Sequence, residues 1–261
     1  MANNRTLVIE IDPSDDIRRL GDWLTGAGLA LETVRPHAGD PLPDSLDGYA
    51  ALVVMGGAQE AYPGPDGRPA EPWFPALEGL LRKAVRYEVA TLAVCLGAQL
   101  LASAHGGLVE RGEAGPEIGP ALVGKRDAAE KDPLWVGVPM APDVLQWHQD
   151  EITELPLGAT LLAASTRYPH QAFRLGGRAW GIQFHIECDD AMIANWVAND
   201  RPLLDDLGYD PEVVIDACNL IMVDLEEAWQ PFAERFAAVA KGELATPPPE
   251  PPGRRLPLLG S

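Results

Sequence analysis

In its N-terminal part the chain alternates short, nearly unbroken apolar runs with longer segments whose apolar positions recur at helical spacing. Residues 6–11 predict a buried strand. Ser14 is placed to cap a helix that runs through Ile17, Leu20 and Leu24 and stops at Gly26 and Gly28. A second strand is expected at 31–34, and a third at 49–55 that runs straight into Gly56-Gly57. The Pro- and Gly-rich stretch 60–72 is a surface loop. Residues 73–87 then carry Leu77, Leu80, Leu81, Ala84 and Val85 at helical spacing, with basic residues near the end, as a helix dipole prefers. The apolar run 90–94 delivers Cys95 directly into a helix-forming segment that ends at Gly106-Gly107. This strand, helix, strand rhythm predicts an α/β fold with a doubly wound, mostly parallel sheet, whose ligand sites lie beyond the carboxyl ends of its strands.

From residue 108 the pattern changes to short β-like pieces at 108–110, 121–125, 144–147, 160–164, 172–175 and 179–185, with Gly176-Gly177 as a hairpin turn. These extend the sheet and add a small antiparallel layer. Beyond Cys188 helical periodicity returns around 192–197 and again from Pro211, where Asp210 is the expected cap and Pro231 is expected to kink or divide the helix. The expected organisation is therefore a catalytic domain over 1–190, a C-terminal helical extension over 191–243 packed on it, and a Pro-rich tail over 244–261 that cannot form a core. No internal repeat is visible.

At 261 residues with 46% apolar content, the chain can bury one large α/β core. Its 39 acidic against 20 basic residues give a formal charge of −19, which opposes non-specific attraction to nucleic acid and to anionic membrane. Cys95, Cys188 and Cys218 are unevenly spaced and lack any CxxC, so neither a disulfide framework nor a zinc finger is expected. With no apolar run of membrane length and no signal-peptide pattern, the reading is a cytoplasmic protein.

Candidate chemistry centres on Cys95. A cysteine between a buried strand and a helix N-terminus has the form of a nucleophile elbow, where backbone N–H groups and the helix dipole favour thiolate over thiol. The structural alternative is a small hydrophobe closing a strand. The run Gly181-Ile-Gln-Phe-His-Ile-Glu supplies a base: residues two apart on a strand share a face, so His185 and Glu187 point the same way, the carboxylate orienting the imidazole. A surface His/Glu pair is the alternative there. His148, Asp150, His185, Glu187 and Cys188 mix hard and soft ligands, and a metal on His185 would remove the base that Cys95 needs, so neither metal nor cofactor is expected. Trp147 and Tyr168 are candidate pocket walls, and Asp216, Asp224, Glu226 and Glu227 a solvated helix face.

At Cys95-Leu96-Gly97-Ala98-Gln99, at Gln183 to Glu187 and at Gly56-Gly57 the chain resembles the class I (triad) glutamine amidotransferases, over about residues 6 to 190. The similarity is to the stand-alone type related to the glutaminase domain of GMP synthetase. It implies a cysteine hydrolase in which Cys95 attacks the side-chain amide of L-glutamine or another γ-glutamyl amide, forming a γ-glutamyl thioester, with His185 as base and Glu187 as its orienting acid. It also implies an oxyanion hole at the Gly57 and Leu96 N–H groups, and substrate contacts from Gly56, Gln99, His148 and Gln149. Ala93 and Ile186 stand where relatives often carry glycine and proline, and the loop after Gly57 lacks the commoner proline. No Gly-rich ATP loop follows residue 190, so an ammonia-accepting synthetase would be a separate chain. Three readings stay open: a glutaminase subunit, a free-standing γ-glutamyl-amine hydrolase, and a non-catalytic binding protein that keeps the fold. A homodimer through the helices after residue 200 is a further possibility.

Overall fold

The computed structural model describes residues 3–246, so the Pro-rich tail from 247 onward lies outside the described residues. Its first half is the expected alternation: β1 (Arg5–Ile9), α1 (Arg18–Gly26), β2 (Ala30–Val34), β3 (Ala51–Val54), α2 (Phe74–Arg86), β4 (Ala90–Val94) and α3 (Leu96–Ser103). Then come β5 (Leu108–Arg111), β6 (Glu117–Leu122), β7 (Gly124–Lys125), β8 (Asp143–His148), β9 (Asp150–Glu154), β10 (Ala159–Ala164), β11 (Ala172–Leu175) and β12 (Ala179–Ile182). The chain closes with α4 (Asp190–Asn199), α5 (Arg201–Leu207), α6 (Pro211–Leu220) and α7 (Met222–Ala240).

Eight strands form one sheet in the order β2-β1-β3-β4-β12-β11-β10-β7. Pairings from β2 through β12 are parallel, and those from β12 to β7 are antiparallel. Strands β3, β4 and β12 are buried along their whole length, which is why they read as continuous apolar runs. Two cores sandwich the sheet. One packs α1, α4 and α7 against it through residues such as Leu24, Ile193 and Trp229; the other packs α2 and α3 through Leu77, Leu81 and Leu101. The expected antiparallel layer is present as two small sheets, β5 with β9 and β6 with β8.

Four local expectations need correction. Ser14 does not cap α1, because its hydroxyl is engaged by Asp12 and Asp15 in the loop before the helix. Strand β12 ends at Ile182, so His185 and Glu187 lie past it rather than on it. The region 121–125 divides between β6 and β7. Pro231 sits inside α7 without dividing it, and the break falls earlier, at Ile221. Trp229 and Phe232, which flank that proline, are both fully buried. Their burial is worth about 1.5–3 kcal/mol each, which together offsets the ~3 kcal/mol that an interior proline costs. Asp210 caps α6 as expected, accepting from the Glu212 N–H.

Candidate active site

Parallel topology brings the ends of β1, β3, β4 and β12 to one edge, and the candidate residues gather there. Cys95 follows β4 with φ 50° and ψ −113°, a conformation that side chains rarely adopt. Such a position costs of order 1–3 kcal/mol and persists only where the surroundings impose it. Here they do: the Cys95 N–H donates to the Ile182 carbonyl at 2.8 Å, and its carbonyl receives the Gln99 N–H at 3.0 Å, opening α3. Gly97 lets the helix come this close, since a Cβ there would stand 2.4 Å from the Val54 carbonyl oxygen. Gly56 is as crowded. A Cβ on it would lie 2.8 Å from Asp15 Oδ1, 3.2 Å from His185 Cε1 and 3.4 Å from Cys95 Cβ, so the three side chains converge on one backbone point. Gly57 lies against Leu96, whose side chain would meet a Cβ at 3.1 Å.

His185 is positioned by its backbone, which exchanges hydrogen bonds with Leu145 at 2.8 and 3.3 Å. Its Nδ1 lies 2.7 Å from Glu187 Oε1, while Glu187 Oε2 accepts the Ile186 N–H at 2.9 Å. Both side chains are buried, and His185 Nε2 has no hydrogen-bond partner among the described residues. Burial works against the imidazolium, but the Glu187 carboxylate and the Cys95 sulfur beside it prevail and hold the His185 pKa well above the usual imidazole value. The Trp196 ring packs edge-on against His185 at 4.6 Å. Cys188 comes near the pair, with ligand atoms of the three side chains all within 4.8 Å of one another, and both Glu187 oxygens already take part in hydrogen bonds.

A cavity of about 580 Å³ opens at Cys95. Gln99 lines it, although its amide nitrogen is used to hold Gln183 at 3.2 Å and the Asp150 carbonyl at 3.3 Å; Gln183 in turn points its amide at Cys95 Sγ, 3.6 Å away. His148 reaches the cavity as a strut, with Nε2 at 3.0 Å from Glu117 and Nδ1 at 2.8 Å from the Asp150 carbonyl, so both ring nitrogens are occupied internally. The nitrogens of His148, a candidate substrate contact, are therefore held by the protein itself. Gln149 accepts a hydrogen bond from Arg111, whose guanidinium also lies 4.0 Å from Asp150. Trp147 is a wall of the cavity; Tyr168 instead donates to the Gly115 carbonyl, away from it.

Several lining residues were not singled out from the sequence: Arg111, Trp196, Asp200 and the Asp12-Pro13-Ser14-Asp15 loop. A signal existed for the last, because a loop directly after the first strand of such a sheet must lie at the ligand edge. Its Ser14 hydroxyl is 2.7 Å from both Asp12 Oδ1 and Asp15 Oδ2, yet it has one proton to give. Despite partial burial, hydrogen bonds from Ser14, Gln59 and the Ala58 N–H keep Asp12 below the usual carboxylate range. Burial pushes Asp15 up to about 6. Asp12 also accepts from Gln59 at 3.0 Å, tying this loop to the one after Gly57.

The displaced Asp15 pKa has a consequence for stability. A carboxyl raised on folding stabilises while protonated, below about pH 4, and that contribution is lost as pH rises through its folded value of about 6. Above that the ionised group costs of order 3 kcal/mol. Asp15→Asn is therefore expected to raise unfolding free energy at pH 8 and to leave it nearly unchanged at pH 4, as denaturant titrations at the two pH values would show.

A cysteine on a strained turn between a central parallel strand and a helix, faced by a buried His–Glu pair, lies at the ligand edge of a mostly parallel α/β sheet. A family model described as glutamine amidotransferase class-I matches residues 27–191, and the chain belongs to that family. It is 32% identical over 149 residues to gamma-glutamyl peptidase 5 of Arabidopsis thaliana, covering 56% of this chain and 57% of that protein. It is also 32% identical over 154 residues to the glutamine-hydrolyzing GMP synthase of Thermotoga maritima, covering 57% of this chain and 27% of the synthase. The chain thus spans little more than half of the first relative and about a quarter of the second. A solved glutamine amidotransferase from Thermotoga maritima superposes with a TM-score of 0.80 at 26% identity, over 91% of this chain and 99% of that one.

Proposed function

We propose that the chain hydrolyses γ-glutamyl amides, L-glutamine among them, through a γ-glutamyl thioester on Cys95. The observation that carries this is the convergence of the strained Cys95, the unpartnered His185 Nε2 and the Gly56 backbone at a single point, with Glu187 fixing the imidazole from behind. With its proton already held on His185 Nε2, Cys95 Sγ attacks the amide carbon as a thiolate, forming a C–S bond and placing the charge on the amide oxygen. The oxyanion is held by the Gly57 and Leu96 N–H groups. Collapse breaks the C–N bond, and His185 returns the proton to the departing amine. Water then adds to the thioester with His185 as base, releasing glutamate and restoring the thiol.

The amino-acid head of the γ-glutamyl group is assigned to the Gln99, Gln149, Asp150 and Arg111 end of the cavity. There the guanidinium matches an α-carboxylate and Asp150 an α-ammonium. Arg111→Gln is expected to raise KM about tenfold with kcat little changed, the modest size reflecting an exposed guanidinium. The helical extension 191–243 is read as one body with the catalytic domain, since α4 supplies Asn195, Trp196 and Asn199 to the cavity. Because the cavity continues past Cys95 to these helices, a free-standing hydrolase of larger amides is favoured over a dedicated glutaminase subunit. Among the described residues no helix is long and apolar enough to cross a membrane.

The test is glutamate release by the purified chain from L-glutamine and from a panel of γ-glutamyl amines. Turnover of a substituted amide supports the free-standing version. Turnover of glutamine alone, at a rate that a synthetase chain increases, would replace it with the subunit version.

A further inference from the structure

The cavity has two unlike halves. Arg111, with Gln99 and Asp150, lies on the α3 side, where β5 and β9 pack into the core formed by α2 and α3. The other half lies toward α1 and α4, on the opposite core. That half carries Asp12, Asp15 and Asp200, none of which makes an ion pair among the described residues, and no basic side chain lines it. Asp15 is 7% exposed; Oδ2 contacts Ser14, while Oδ1 stands beside Gly56, where Cys95 and His185 meet. Asp15 thus lines the cavity with a carboxylate oxygen that a bound donor can reach.

Two indole rings complete this half. Trp147 and Trp196 lie 5.4 Å apart at a shallow angle of 31°. Each is locked by its N–H: Trp147 donates to Asp200 Oδ2 at 2.6 Å and Trp196 to the Ser14 carbonyl at 3.1 Å. His185 is the charged neighbour of Asp15, but no Arg or Lys lines this half, and fixed aromatic rings beside its three carboxylates favour an organic cation on both electrostatic and cation–π grounds. Trp196 and Asp200 lie beyond residue 191, where the match to the family model stops, whereas Trp147 lies within it.

We propose that this half is a leaving-group subsite for a cationic amine, and that the preferred substrates are γ-glutamyl amides of diamines or of amines bearing a second ammonium group. The proposal rests on the γ-glutamyl chemistry above and specifies the substrate class for the same site. The γ-glutamyl group occupies the Arg111 half, the scissile amide lies at Cys95, and the distal ammonium reaches Asp15, Asp200 and the indole pair. Hydrolysis then yields glutamate and the free diamine.

The experiment compares kcat/KM for the mono-γ-glutamyl amide of 1,4-diaminobutane, the uncharged γ-glutamyl butylamide and the anionic γ-glutamyl amide of 4-aminobutanoate. The cationic amide is expected to exceed the neutral one by about tenfold or more and the anionic one by a larger factor. Asp200→Asn, which can still accept from Trp147, and Asp15→Asn are each expected to bring the cationic-to-neutral ratio toward one. As a separate readout, free 1,4-diaminobutane should inhibit hydrolysis of the butylamide at lower concentration than butylamine does. Equal or better turnover of the neutral and anionic amides would overturn the subsite while leaving the γ-glutamyl reading intact. So would a loss in Asp15→Asn that falls equally on all three amides, which would place the substrate's α-ammonium at Asp15. Absence of hydrolysis for every amide, glutamine included, would overturn both.

Discussion

Replacing Cys95 with alanine is expected to lower kcat/KM for γ-glutamyl amides by at least about 10⁴-fold, to the level left by binding and the oxyanion hole alone. The size follows from the proposed chemistry: without sulfur no acyl-enzyme forms, and the His185 imidazolium loses the sulfur beside it. Alanine fits the space, so the fold should persist. Cys95 packs among buried neighbours at 4% exposure, and the backbone bonds that hold its left-handed conformation, to Ile182 and from Gln99, do not involve the side chain. Parallel measurements of activity and thermal unfolding on the variant would show the first collapsing while the second moves little.

Glu187→Gln is the second large effect, expected to lower kcat by about 10²–10⁴-fold. Both carboxylate oxygens are acceptors, one for His185 Nδ1 and one for the Ile186 N–H. An amide can satisfy only one of them. With its NH₂ toward Ile186 two donors collide. With its NH₂ toward His185, Nδ1 must become the acceptor, which moves the ring proton to Nε2 and removes the base. The carboxylate is also a main support for the raised His185 pKa, so the basic group in the kcat/KM pH profile is expected to move down in this variant. An unchanged profile with reduced activity would point to a packing role.

Much of the scaffold could be read because parallel strands buried on both faces leave continuous apolar runs. β3 and β4 are such strands, and each leads directly into a glycine or cysteine at the ligand edge. Cys95, His185 and Glu187 were accessible for the same reason, as motif residues at strand ends. The means of holding the pair was not. Sharing a strand face does not hold His185 and Glu187, since the strand stops at Ile182; the backbone bridge to Leu145 positions His185, and a long-range pairing leaves no local pattern. His148 illustrates the converse. A histidine beside a pocket reads as a ligand contact until Glu117, far away in sequence, is found on its Nε2. The acidic loop Asp12–Asp15 and the wall from Trp196 and Asp200 escaped notice because their significance depends on tertiary convergence. In sequence they are merely a polar turn and an amphipathic helix.

The proposed γ-glutamyl thioester on Cys95 is tested most directly by rapid acid quench during turnover of a γ-glutamyl amide, followed by peptide mass spectrometry. A γ-glutamyl adduct confined to the peptide carrying Cys95, formed and lost at rates compatible with turnover, is the predicted result. Sustained amide hydrolysis with that peptide unmodified at every time point, and with Cys95→Ala retaining wild-type activity, would contradict it.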